Sequence, residues 1–96
     1  MFSLSAARQV RALQRHDRDR QRPEAIRTLA AALESAWQTI VSRPDGGLPA
    51  PRPYPALVRP GLQWTKAGRY WIAYRTTPRV LIDAVFYGTA YIPGRL

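Results

Sequence analysis

Cysteine is absent from this 96-residue chain, and histidine and lysine occur once each, as His16 and Lys66. Without thiols there is no disulfide framework and no thiolate metal site. The six carboxylates are Asp17, Asp19, Glu24, Glu34, Asp45 and Asp83. With one imidazole beside them they leave little to build a metal site from, so neither a metal nor a cofactor is expected. Asp17 and Asp19 are too close on a helix to flank a sugar as a glycosidase pair does. No GxSxG, P-loop or GxGxxG is present, and Ser3, Ser5, Ser35 and Ser42 have no evident base. Long apolar runs are missing too; nothing reaches the ~18 residues of a membrane-spanning helix. The opening MFSLSAARQVRAL lacks a basic start followed by an apolar block, so no signal peptide is expected and the cytoplasm is the default location.

What the chain has is positive charge. Its formal net charge is +9, and arginine supplies 14 of the 15 basic residues. Guanidinium groups suit planar, bidentate contact with phosphate and carboxylate. Such a balance points to a polyanionic or acidic partner, nucleic acid or protein. A genome that favours arginine codons is the bland alternative. The length fits one domain, residues 1–96, with a small core.

In chain order, Phe2-Ser3-Leu4 alternates and reads as a short edge strand. Ser5 is a plausible N-cap for a first helix over 6–19. Its apolar face is thin (Ala6, Val10, Leu13), and Arg8, Arg11, Arg15, Arg18 and Arg20 occupy its other sides. Those arginines are either a solvated face or a binding face. Pro23 and Glu24 suit the first turn of a second helix running to Ser42. Ile26, Leu29, Ala30, Leu33, Trp37, Ile40 and Val41 form its apolar stripe. The short break between the helices predicts an antiparallel pair. From Arg43 to Gly61 the chain holds six of its nine prolines, which predicts an extended linking loop. Leu62 to Thr65 reads as a strand, and Lys66 to Arg69 as a turn.

The last part, GRYWIAYRTTPRVLIDAVFY, reads as a β-hairpin. With Thr76, Thr77 and Pro78 as its loop, Arg75 falls opposite Arg79. Tyr70, Ile72, Tyr74, Val80, Ile82, Ala84 and Phe86 then share an apolar face for the helices. Trp71, Ala73, Arg75, Arg79, Leu81, Asp83, Val85 and Tyr87 share the other. The expected fold class is α+β, a two-helix hairpin packed on a three- to four-stranded antiparallel sheet. The polar hairpin face offers three readings. Arginines and a tyrosine serve a metal-free ribonuclease. Trp, Tyr and Arg serve a protein interface. An Arg75–Asp83–Arg79 network serves neither.

Several blocks carry a resemblance: FSLSAARQVRAL, TIVSRPDGG, LVRPGL, GRYWIAYR and VLIDAVFYGTAYIPGRL. Together they resemble toxins of the RelE/ParE superfamily, from bacterial type II toxin–antitoxin systems. The resemblance implies two helices on a small antiparallel sheet and a cognate acidic antitoxin. It also implies one of two targets, mRNA on the ribosome for RelE-like members or DNA gyrase for ParE-like ones. The ribonuclease branch tends to carry basic residues where this chain has Leu62, Trp64 and Trp71. Many members have histidine where this one has Tyr87, and an acid where it has Tyr91. These departures favour a ParE-like toxin that causes growth arrest by protein contact, the class linked to plasmid stabilisation. Trp64, Trp71, Arg75, Arg79, Asp83 and Tyr87 would then bind target or antitoxin. A RelE-like nuclease using Arg75, Arg79 and Tyr87 is the alternative, and a non-toxic basic binding module is the second.

Overall fold

The computed structural model describes residues 2–20, 23–88 and 92. Helices α1 (Leu4–Asp19) and α2 (Pro23–Ser42) precede strands β1 (Gln63–Ala67), β2 (Tyr70–Arg75) and β3 (Leu81–Tyr87). The strands form one antiparallel sheet in the order β1-β2-β3. The fold is therefore α+β, two helices with a three-stranded antiparallel sheet. Among the described residues no helix is long and apolar enough to cross a membrane.

The N-terminus departs from expectation. Residues 2–4 do not form a strand; Phe2 makes an isolated parallel bridge to Ile82, and α1 already begins at Leu4. Ser3, not Ser5, is the N-cap. Its hydroxyl accepts from the Ala6 N–H at 3.0 Å, satisfying one of the amides that a helix start leaves open. The same hydroxyl donates to the Asp83 carbonyl at 3.1 Å, and the Ser3 N–H donates to the Ile82 carbonyl at 2.8 Å. Local capping and tertiary anchoring thus share one residue.

In α2 the stripe begins at Leu29 and recurs at three- and four-residue steps. Leu29, Ala32, Ala36 and Ile40 are buried, with Leu33 and Trp37 packed beside them. Ala30 is exposed and Val41 is 52% exposed. Each stands one residue from the stripe, roughly 100° around the helix. The Ile26 side chain lies outside the described residues. From α1, Ala6 is buried in this core and Val10 and Leu13 pack against it.

The hairpin register corrects the expectation in a way that matters. Arg75 pairs with Leu81, not Arg79, and the connection spans 76–80. Ala73 faces Ala84 while Tyr74 faces Ile82, so Asp83 is an extra residue in β3. A bulge of this kind interrupts the two-residue alternation. Beyond it Val85 and Tyr87 turn to the helix layer, and Ala84 and Phe86 turn away. The expected faces hold near the loop and reverse past Asp83.

The face turned away from the helices is not open. Trp64, Trp71, Ala73, Ala84 and Phe86 form a second core with Ala50, Leu57, Leu62 and Ile92. Leu48 and Tyr54 pack against it. The proline-rich segment, with its 3-10 turn at Pro55–Leu57, is thus a covering layer as well as a link. It also pairs with the sheet: Leu48 and Trp64 exchange two backbone hydrogen bonds, each of 2.7 Å. At the opposite edge the Val85 N–H donates to Gln9 Oε1 at 3.0 Å. Covering both edges limits strand-to-strand pairing with other chains.

Removing that last acceptor tests the edge. Gln9→Ala leaves the N–H of buried Val85 unpaired and should cost about 1–3 kcal/mol in urea denaturation. Exposed Arg11→Ala, on the same helix, should stay within about 0.5 kcal/mol of the parent. Equal midpoints for Gln9→Ala and the parent would refute the edge contact.

Candidate functional site

The six residues assigned from sequence do not share one surface. Trp64 is fully buried, pairs with Ala73 and stacks on Phe86, with ring centroids 6.2 Å apart and planes 23° off parallel. Trp71 is 2% exposed. Tyr87 lies on the helix face, packed edge-on against Tyr70 with centroids 5.5 Å apart. Arg79 is exposed in the connection, and Tyr91 lies outside the described residues. Trp64 and Trp71 share the second core, and Arg75 and Asp83 form an ion pair, with Nε to Oδ2 at 3.8 Å and side chains 40% and 37% exposed. Arg75 Nη1 also donates to the Pro60 carbonyl at 3.2 Å. An exposed pair of this length contributes about 0–1 kcal/mol. Its clearer role is to tie the end of the proline-rich segment to the sheet.

Two other features concentrate chemistry. The first is a groove of about 510 Å³ lined by Gly46, Leu48, Arg52, Trp64, Thr65, Lys66 and Gly68. Lys66 is the cross-strand partner of Trp71. Its ammonium lies 5.7 Å from the Trp71 ring centroid, and the Arg52 guanidinium carbon lies at the same distance. Both placements are within cation–π range. Among the described residues Trp64 Nε1 is buried without a hydrogen-bond partner. Leaving such a donor unmade costs about 1–3 kcal/mol. Sequence reading missed Arg52 and Lys66. A two-residue turn at Gly68-Arg69 would have placed Lys66 opposite Trp71, and Gly68 has the positive φ, 58°, that marks it. Nothing local signals Arg52, which arrives through the fold.

The second is the outer side of α1. Arg8, Arg11, Arg15 and Arg18 are all exposed. Their three- and four-residue spacing puts them in one row along the helix. Among the described residues no three His, Cys, Asp or Glu side chains come together as a metal cluster. His16 is exposed.

A small polar knot braces the loop that borders the groove. Gln63 Oε1 accepts from the Gly47 N–H at 3.1 Å and lies 3.5 Å from the Tyr74 hydroxyl. Position 47 has no room for a side chain, since a Cβ there would overlap the Tyr74 hydroxyl and sit 2.8 Å from Gln63 Cβ. Burial raises the Tyr74 phenol above its ordinary pKa, and the charge of Asp45 raises it further.

No family model matches the chain, and no curated protein matches it significantly.

The Tyr74 shift has a definite sign. Above the ordinary phenol pKa of about 10, unfolded chains lose the proton while the native state keeps it. The associated stability is therefore complete below that pH and is lost as pH rises through the folded value. Urea denaturation should show the parent losing stability relative to Tyr74→Phe above pH 10. Asp45→Asn should weaken this trend. Parallel pH profiles for the parent and Tyr74→Phe would contradict it.

Proposed function

We propose that this chain is a ParE-like toxin of a type II toxin–antitoxin system, acting on a cellular target such as DNA gyrase by protein contact. A cognate acidic antitoxin neutralises it. The class rests on the sequence blocks that resemble the RelE/ParE superfamily, supported by the α+β arrangement and the net charge of +9.

One observation carries the choice of contact over cleavage. A rebuilt ribonuclease centre needs Arg75, Arg79 and Tyr87 around one phosphate, because general acid–base catalysis requires groups within hydrogen-bond reach of the reacting atoms. Arg75 pairs with Asp83 at the rim, while Tyr87 packs on the helix side against Tyr70. The row of exposed arginines on α1 fits the acidic antitoxin, for which like charges at regular spacing give long-range attraction.

Controlled expression separates the alternatives. Growth arrest with inhibited gyrase supercoiling and intact transcripts is the expected result. Arrest with cleaved transcripts would replace the proposal by the RelE-like alternative. Arrest with neither effect would remove gyrase as the target. Harmless expression would leave the basic binding module.

A further inference from the structure

We propose that the groove between β1 and the 46–52 loop binds a terminal phosphate, the phosphomonoester at the end of an oligonucleotide or on a free mononucleotide. This goes beyond the toxin reading and does not depend on it. The groove brings two cations to one indole. Arg52 and Lys66 each lie 5.7 Å from the Trp71 ring centroid, yet both side chains are exposed to the solvent a ligand arrives from. Trp71 itself is held in the second core, so the platform beneath them is rigid. Among the described residues neither cation has a carboxylate partner; Asp83 pairs with Arg75. Among the same residues Asp45, next to the groove residue Gly46, forms no ion pair with either cation, and its charge is felt at Tyr74.

The charge count selects the ligand. A phosphomonoester carries about −1.5 to −2 charges near neutral pH and offers three acceptor oxygens. A guanidinium fork and an ammonium lining one groove match both charges and supply charge-assisted donors. A phosphodiester or a carboxylate, with one charge, leaves one cation unmatched. Gly46 and Gly68 put no side chain on the groove wall. The net charge of +9 and the arginine row on α1 favour a nucleic-acid strand as the bearer of that phosphate over a phosphopeptide.

Fluorescence anisotropy on the full chain tests this with a labelled hexanucleotide. The strand carries a 5′-phosphate, a 3′-phosphate or hydroxyls at both ends. A terminal phosphate at one end should raise affinity about tenfold over the hydroxyl strand, the gain expected of charge-assisted bonds. Arg52→Gln and Lys66→Gln should each abolish that difference with unchanged circular dichroism. Arg8→Gln should weaken all strands alike and leave the ratio intact. Competition by adenosine monophosphate as strong as by the phosphorylated strand identifies the mononucleotide as sufficient; competition by the strand alone identifies the strand end, and either result supports the site. Equal affinity for phosphorylated and hydroxyl strands would overturn it. So would an unchanged ratio in both groove variants, or stronger competition by a phosphotyrosine peptide than by the phosphorylated strand.

Discussion

Five consecutive apolar side chains, Tyr70 to Tyr74, occupy β2, and a strand sends successive side chains to opposite faces. Water cannot be left on either side of such a strand. One face is met by α1 and α2, the other by the proline-rich segment and Ile92. Burying a side chain as large as Phe or Met contributes about 1.5–3 kcal/mol over leaving it exposed. Losing the second cover would therefore expose Trp64, Trp71 and Phe86 at severe cost. The segment that looks like a linker is a structural layer, and its prolines suit the task because they limit the entropy of the unfolded chain.

This constraint also decides where function can reside. An aromatic hairpin surface open to a partner is incompatible with a buried Trp71. Accessible cations gather at the rim, where Lys66 and Arg52 emerge over that indole, and on the solvent side of α1. The bulge at Asp83 sends Tyr87 to the helices, and Ser3 takes the carbonyl of the extra residue. The same irregularity that breaks up the anticipated site anchors the start of the chain to the sheet.

The helical half was legible in sequence because its signals are local. Pro23 and Glu24 mark the start of α2, and Leu29, Leu33, Trp37 and Ile40 mark its buried side. The three strands were legible as existing, from their β-branched and aromatic residues. The faces were not. Nothing in VLIDAVFY announces that Asp83 is unpaired, since a bulge is settled by contacts with Ser3 and Tyr74 from distant parts of the chain. One sign of double burial is local: YWIAY runs without polar alternation, as a strand covered on both faces does. The helix cap was misplaced by two residues, because Ser3 and Ser5 are equivalent by type and differ only in reaching Asp83.

Both layers and the rim groove require Trp71 to be core rather than contact surface, and truncating it measures this. Trp71→Ala, followed by urea denaturation of the full chain, should lose about 3–5 kcal/mol, the range for deleting a buried large aromatic. A loss under about 0.5 kcal/mol, typical of surface positions, would mean that the proline-rich layer does not cover the sheet, and the rim groove built upon it would fall with it.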